Sequence, residues 1–184
     1  MMDLRAATID DAQTLLGIYG PYVVTNAVSF ESAPPTLDDM KARLEAAGDT
    51  HPWIVGFDSE TGVVLGYAFA KPLRPGPAYR FAVETACYIA GEEGQGHRRT
   101  LYGALLATLT AQNYTQAIST LTMPQDKAIQ LHEALGFKRA GFYREVSYKN
   151  GQWIDVGMWQ RELAEPGKTP DEPLPFSQVG VVRS

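Results

Sequence analysis

The chain has 184 residues, of which 45% are hydrophobic and 20% are charged, and this composition suits one globular domain with a sizeable core. The 16 basic and 21 acidic residues give a formal net charge of -5, which argues against a nucleic-acid partner because such proteins present clustered positive charge. A single cysteine excludes an intramolecular disulfide, and apolar residues nowhere run long enough to predict a membrane span. We therefore expect a cytoplasmic protein with no membrane partner.

The N-terminal part of the chain predicts one strand followed by two helices. Thr8 with Asp11, and Thr36 with Asp39, have the spacing of a capping box, a common helix start. Apolar residues then recur on one face of the first predicted helix. The predicted elements are a strand over 4–6 and helices over about 8–19 and 36–47.

The middle of the chain predicts a β-hairpin and then a long strand. Two apolar runs flank a polar turn over 58–62, and a loop rich in proline and glycine, LRPGPA, follows them. The next apolar run is long enough to suit a central strand covered on both faces. The predicted strands here span 53–57, 63–70 and 79–89.

The C-terminal part predicts a helix, a buried strand, a second helix and a hairpin. Gly136 is a typical residue just past the end of a helix, and Asn150-Gly151 is a strong two-residue turn signal. The segments concerned are helices to about 112 and over 127–135, and strands over 117–122, 140–149 and 152–161. This order predicts an α/β (α+β) domain over residues 1–164, followed by a proline-rich tail over 165–184 that either packs on a partner subunit or is disordered.

The run from Val83 to Tyr102 joins an apolar strand to a glycine-containing turn and a helix. Glycines allow the backbone to approach an anion closely, and the first turn of a helix offers free N–H groups and the positive end of its dipole. The run therefore predicts a site for an anionic cofactor. Cys87 lies within the strand half of the run, where a small core residue is a better interpretation than a nucleophile.

Together these features resemble the GNAT acetyltransferase superfamily, and more narrowly the phosphinothricin / methionine sulfoximine N-acetyltransferase family. The resemblance rests on RPGPAYRFAVE, LHEALGF and YKNGQWIDVGMWQREL and extends from about Leu4 to Leu163. It implies the GNAT fold, a mixed central sheet flanked by helices on both faces, and a homodimer. It also implies acetyl transfer from acetyl-CoA, a co-substrate, to the free amine of a small glutamate-like amino acid, a detoxification reaction that uses no metal.

Two side chains are candidates for the chemistry. An α-amine is mostly protonated near neutral pH, so a base must remove a proton before the nitrogen can attack. Glu84 is a carboxylate in an otherwise apolar strand, and its VE pair matches the proposed general base of the family; the alternative is an exposed strand residue. His132 takes the place of the family's presumed acid, which would protonate the departing thiolate; the alternative is a structural helix histidine.

The resemblance also assigns the cofactor site. Backbone N–H groups at Cys87 and Ile89 would contact the oxyanion, and the turn and a later helix would hold the rest of the cofactor. The cofactor-binding residues in the turn and that helix are Gly94, Gln95, Gly96, His97, Arg98, Arg99 and Gln125.

This turn departs from the superfamily pattern at Glu93 and Arg98, where a basic or amide residue and a small residue are expected. A carboxylate about 6 Å from a phosphate would cost roughly 2 to 3 kcal/mol at an effective dielectric of about 20. Arg98 or Arg99 would offset that repulsion. Two alternatives to the assigned activity therefore stay open: a GNAT-fold protein with weakened or lost acetyl-CoA binding that acts as a ligand-binding or interaction module, and an acetyltransferase for another amine.

The substrate's acidic groups call for a cation, and its methylene stem for an apolar wall. Arg74 is the first candidate because a guanidinium pairs with such oxyanions through two hydrogen bonds. Phe30 and Tyr79 match residues that line the family's pocket. For each of the three, an ordinary loop or core role is the alternative. Arg80 ranks below Arg74 because strand alternation would point it away from Tyr79.

Overall fold

A computed structural model describes residues 1–24, 29–91 and 94–183. Within these residues, seven strands form one sheet and five α-helices surround it. The strands are β1 (Met2–Ala6), β2 (Trp53–Asp58), β3 (Val64–Pro72), β4 (Ala82–Ile89), β5 (Gln116–Thr122), β6 (Lys138–Lys149) and β7 (Gln152–Glu162). The helices are α1 (Ala12–Val24), α2 (Leu37–Ala47), α3 (Arg98–Ala111), α4 (Asp126–Ala134) and α5 (Phe176–Val179).

The sheet is mixed, with the order β1-β2-β3-β4-β5-β7-β6. Neighbouring strands are antiparallel except β4 and β5, which run parallel at the centre. This pair is joined at three register positions, the last of which is Glu84 opposite Ile118. Both strands continue past that point in the described chain without pairing to each other, so the sheet opens between them.

Helices cover both faces of the sheet, as predicted. On one face, α3 packs its fully buried leucines, among them Leu101, Leu105 and Leu109, against the central strands. On the other, α1 and α2 bury Leu15 and Met40 against β2 and β3. The opening between β4 and β5 therefore lies between the layer formed by α3 and the layer formed by α1 and α2. No helix among the described residues is long and apolar enough to cross a membrane.

Most local predictions are confirmed. The Thr36 side chain accepts from the Asp39 backbone N–H at 3.1 Å, and the Asp39 carboxylate accepts from the Thr36 N–H at 2.8 Å, which is the predicted capping box. Gly136 has a φ of 85°, the left-handed conformation of a residue that ends a helix. Asn150 and Gly151 also have positive φ, as a tight turn joining β6 and β7 requires.

Two predicted boundaries are wrong. The first helix does not end at Tyr19 but continues to Val24 through Pro21, so the missing proline N–H is tolerated inside it. The strand predicted to begin at Tyr79 begins at Ala82, because Pro77–Tyr79 forms a short 3-10 turn. Proline at the start of that turn cannot donate to a neighbouring strand, which favours the turn over the sheet.

The proline-rich tail packs on the chain's own surface. Phe176 is buried in the same core as α3, and its N–H donates to the Asp49 carbonyl at 2.7 Å. Gln112 binds the tail from the end of α3, donating to the Leu174 carbonyl at 2.9 Å. Apolar burial and backbone hydrogen bonds to its own chain thus hold a segment for which the sequence predicted either a partner subunit or disorder.

Candidate active site

A cavity of about 630 Å³ lies at the opening between β4 and β5. Both strands line it past the last residues at which they pair with each other, and α1, α2 and α4 close it from the two faces of the sheet. A cavity of this size and position accommodates a small ligand at the centre of the fold. Six of the side chains predicted from the sequence line it. They are Phe30, Glu84, Cys87, Arg98, Gln125 and His132.

Glu84 occupies the last position of β4 that pairs with β5. Its side chain is 28% exposed, and its carboxylate lies 3.3 Å from the ammonium group of Lys71, which stands opposite it on β3. The carboxylate is thus partly exposed to the cavity, and a cation lies directly beside it. This geometry suits a group that accepts a proton from a cationic substrate and returns it to solvent.

His132 is buried, and its two ring nitrogens have different environments. Nδ1 lies 2.6 Å from the Ala128 carbonyl oxygen, whereas Nε2 is buried without a hydrogen-bond partner in the described chain. A carbonyl oxygen only accepts, so Nδ1 carries the proton of the neutral ring and Nε2 presents a lone pair. Burial lowers the pKa of His132, and the nearby charge of Arg98 acts in the same direction. Neutral His132, which lines the cavity, therefore has a proton acceptor at Nε2, whereas the sequence predicted a donor.

Cys87 lies on β4 beyond Glu84. Burial raises the pKa of its thiol to about 12, which leaves it protonated and unreactive near neutral pH. The prediction that it is a small core residue rather than a nucleophile agrees with this environment.

The Tyr22 hydroxyl hydrogen-bonds to both backbone groups of Ile89 at the end of β4. It donates to the Ile89 carbonyl at 2.9 Å and lies 3.2 Å from the Ile89 nitrogen, whose N–H it accepts. Arg98 donates to the same hydroxyl at 3.0 Å, and its Nε is buried without a partner. Arg98 thus lines the cavity and binds Tyr22, whereas the sequence suggested that it offsets repulsion at the phosphate turn.

The glycine turn itself lies outside the cavity. Gly94 is buried, and a Cβ there would lie 2.3 Å from the Leu65 carbonyl oxygen, so this glycine is required for close packing on the sheet. The space around Gly96 is open, and the first turn of α3 beside it has N–H groups with no partner within the helix. Gln95 and Arg99 are exposed and His97 is half-buried at this turn. Glu93, which the sequence predicts to repel a phosphate, lies outside the described residues.

The cavity ends in a polar network that the sequence did not predict. Glu31 accepts a hydrogen bond from the Tyr19 hydroxyl at 2.5 Å and forms a salt bridge with Arg43 on α2. Burial acts to raise the pKa of Glu31, but the hydrogen bonds from Arg43 and Tyr19 outweigh it and hold the pKa below its usual value. Glu31 therefore stays ionised and fixed beside Phe30. No sequence signal marks this group, because its members come from two helices and the segment between them.

Aromatic side chains form the wall of the same end. Trp53 and Phe69 stack with centroids 4.3 Å apart, and Tyr88 packs edge-on to Tyr19 at 4.8 Å. Such contacts make a rigid apolar surface. This wall and the charged groups at Glu31 and Glu84 match a ligand with an apolar stem and polar ends.

Three predicted substrate residues lie elsewhere. Arg74 and Tyr79 are exposed on the loop before β4 and do not line the cavity. Arg80 is paired with Glu172 of the tail at 2.7 Å. The cations that the structure places in the cavity are Lys71, Arg43 and Arg98. Among the described residues, no group of three or more His, Cys, Asp or Glu side chains is arranged to hold a metal ion.

The fold and the site define an acyltransferase architecture. The family model for the acetyltransferase (GNAT) domain matches residues 4–159, so the chain belongs to the GNAT acetyltransferase family.

Two relatives and one solved structure illustrate the similarity. The chain is 34% identical to phosphinothricin N-acetyltransferase of Streptomyces viridochromogenes over 97% of this chain and 96% of that protein. It is 30% identical to the L-methionine sulfoximine/L-methionine sulfone acetyltransferase of Pseudomonas paraeruginosa over 87% and 94% of the two chains. The crystal structure of a phosphinothricin acetyltransferase from Sinorhizobium meliloti with AcCoA superposes with a TM-score of 0.87, at 33% identity and covering 93% and 94% of the two chains.

Proposed function

We propose that this protein acetylates the free amine of a small glutamate-like amino acid of the phosphinothricin or methionine sulfoximine type, with acetyl-CoA as co-substrate. The observation that carries the proposal is that Glu84 and His132 reach one cavity from β4 and α4, at the point where the central strands separate. The named activities of the relatives support the choice of amino acid.

Glu84 and Lys71 match the two charges of an α-amino acid. Such a molecule has an ammonium group next to a carboxylate, and the two side chains present a carboxylate and an ammonium 3.3 Å apart. In the proposal, Lys71 holds the substrate carboxylate while Glu84 accepts a proton from the substrate nitrogen. In the proposal, Lys71, which lines the cavity, has the role that the sequence predicted for Arg74.

His132 completes the proton balance. Forming the amide releases two protons from an ammonium substrate, and the leaving thiolate takes up one of them. His132 accepts a proton at Nε2 from the attacking nitrogen and then donates it to the thiolate sulfur, while the proton on Glu84 leaves to solvent. The predicted acid thus acts first as a base, because the Ala128 carbonyl already binds its Nδ1–H.

The residues present fit acetyl-CoA in most respects. The cofactor supplies an acetyl thioester as electrophile, and a thiolate as leaving group. The open space at Gly96 and the free N–H groups of α3 would hold its diphosphate, with Arg99 exposed beside them. Cys87 and Ile89 would offer backbone N–H groups to its acyl end, once the Tyr22 hydroxyl leaves Ile89.

One observation favours the alternative of weakened cofactor binding. Arg98 and Tyr22 occupy the end of β4, where the cofactor's arm would run. Calorimetric titration with acetyl-CoA separates the two readings, since a protein that has lost the cofactor site shows no heat of binding at millimolar cofactor. An active enzyme binds and releases thiol.

The proposal is tested by thiol release. We expect the purified protein to release CoA thiol when given acetyl-CoA and phosphinothricin or methionine sulfoximine. Glu84→Gln should lower kcat/KM by about 100-fold or more, because general-base catalysis contributes about that much. Glu60→Gln, on an exposed turn, is the matched control and should behave as wild type. Absence of thiol release with both amino acids, despite acetyl-CoA binding, would disprove this substrate class.

The proposal includes a cytoplasmic location and a homodimer. A single cysteine makes no demand on an oxidising compartment. For the dimer, support comes from β6, which lies at the edge of the sheet and exposes apolar side chains together with its hairpin partner β7. These side chains are Phe142, Tyr143, Val146, Tyr148 and Trp153.

A further inference from the structure

Lys149 is a buried lysine at the tip of the β6–β7 hairpin. Its side chain belongs to a residue that is only 8% exposed, whereas lysines are almost never fully buried unless paired. Its ammonium group donates to the Val23 carbonyl at 2.9 Å and to the Ser29 carbonyl at 2.8 Å. Lys149 thus connects the hairpin to the end of α1 and to the segment that begins at Ser29. Residues 25–28, between these two contacts, lie outside the described residues.

Ser29, whose carbonyl accepts from Lys149, directly precedes residues of the cavity wall. Ser29 is buried, its hydroxyl lies 2.5 Å from the Tyr19 hydroxyl, and it accepts the Glu31 N–H at 3.1 Å. Phe30, between Ser29 and Glu31, lines the cavity. The position of Ser29 therefore sets where Phe30 and Glu31 stand.

The chemistry of an ammonium group suits this junction. The last carbonyls of a helix lack intrahelical donors and lie at the negative end of the helix dipole, so a cation there is favourable. A lysine head group has three donors that diverge from one point, and it satisfies carbonyls from different segments at once. A neutral side chain of the same length would leave both carbonyls without this donor.

We propose that Lys149 is a positioning residue for the amine-binding wall: it holds the segment from Ser29 in the place where Phe30 and Glu31 contact the substrate. Lys149 itself does not line the cavity. The proposal rests on the proposed function, in that the cavity receives the amine. It predicts that Lys149 affects amine binding and leaves the proton transfers at Glu84 and His132 unchanged.

Steady-state kinetics of Lys149→Met give the first test. We expect KM for the amino acid to rise at least tenfold, with kcat within about twofold of wild type and KM for acetyl-CoA unchanged. Lys138→Met, an exposed lysine on the same strand, is the matched control and should leave all three values unchanged. A fall in kcat at constant KM, or wild-type kinetics in both variants, would overturn the proposal.

Amide hydrogen exchange gives a second test that requires no turnover. In Lys149→Met, protection over residues 29–31 should fall at least tenfold, while that of β4 and β5 stays as in wild type. Unchanged protection over 29–31 would overturn the proposal, and so would an equal loss throughout the sheet. If wild-type protein acetylated neither amino acid, the proposed function would fail, and the exchange result would still decide whether Lys149 holds this segment.

Discussion

At the scale of single residues, His132 shows how a buried hydrogen bond selects a chemical role. The Ala128 carbonyl binds Nδ1–H, so the other ring nitrogen, Nε2, is an acceptor while the ring is neutral. Burial lowers the pKa of the ring, which favours that neutral state. A histidine in this environment is suited to take a proton from the attacking nitrogen, and it becomes an acid only after that step.

The lowered pKa of His132 predicts a pH-dependent stability. Because the folded state binds a proton at this ring less readily than the unfolded chain does, the stability that neutral His132 provides is present above its usual value of 6.5 and is lost as pH falls through the lowered pKa. Replacing His132 with Asn keeps an amide N–H for Ala128 and removes the titration. We therefore expect the free energy of unfolding of H132N to fall less than that of wild type between pH 7.5 and 5.5, as measured by urea denaturation.

Gln130→Asn, at an exposed position on the same helix, is the control for that measurement because it removes no titratable group. The control should lose the same free energy as wild type over this pH range. Burial also lowers the pKa of His51, which remains in all three proteins and adds an equal loss to each. Identical losses in H132N and wild type would contradict the prediction.

At the scale of elements, the continuation of α1 past Pro21 shapes the site. Ending the helix at Tyr19 would leave Tyr22 in a loop, whereas the observed helix carries it to the end of β4 and presents the Val23 carbonyl to Lys149. The sequence argues for an early end because proline lacks the N–H that an interior helical position donates. Tertiary contacts made by the last turn outweigh that loss.

The Tyr22 hydroxyl predicts a measurable effect on cofactor affinity. Acetyl-CoA can use the Ile89 N–H only after the hydroxyl gives up its hydrogen bonds to Ile89 and Arg98. Tyr22→Phe removes those bonds in advance, and we expect acetyl-CoA to bind roughly fivefold more tightly, which corresponds to about 1 kcal/mol. Isothermal titration calorimetry measures the change, with Tyr79→Phe as control because Tyr79 is exposed outside the cavity. Unchanged affinity would mean that Tyr22 stays on Ile89 when the cofactor binds.

At the scale of the whole molecule, β6 and β7 expose a patch of apolar side chains at one edge of the sheet. An unpaired edge strand with a large exposed apolar patch is a common site of association. Tyr148 and Trp153 are 62% and 61% exposed, and their rings pack on each other with centroids 5.0 Å apart. The patch also adjoins Lys149, so a dimer through it would touch the hairpin that holds the cavity wall.

Light scattering after size exclusion tests this association. We expect wild type at micromolar concentration to have twice the chain mass of 20.2 kDa. The double variant Tyr148→Lys, Trp153→Lys should shift toward the monomer, because it places charges at the centre of the apolar patch. Val63→Lys changes an exposed valine on a different hairpin and should leave the mass unchanged. A monomeric wild-type protein would disprove the dimer.

Local rules made much of the fold predictable. Capping boxes, the glycine after α4 and the Asn-Gly turn depend on backbone conformation within a few residues, and the periodicity of apolar residues reports which face is buried. Glu84 and His132 were found because each is a polar residue in a recognisable motif. What the sequence by itself determined, therefore, is the order of elements, the fold class and the candidate catalytic pair.

The tertiary structure decided what depends on contacts distant in sequence. It excluded Arg74 from the cavity and brought in Lys71, and it joined Lys149 to Ser29 across 120 positions of the chain. It also determined that Nε2 is the accepting nitrogen of His132, and it placed the proline-rich tail on the protein's own core. The reason is physical: the direction of a side chain and the partner of a buried polar group are set by how separate elements pack, and no local pattern in the sequence records that packing.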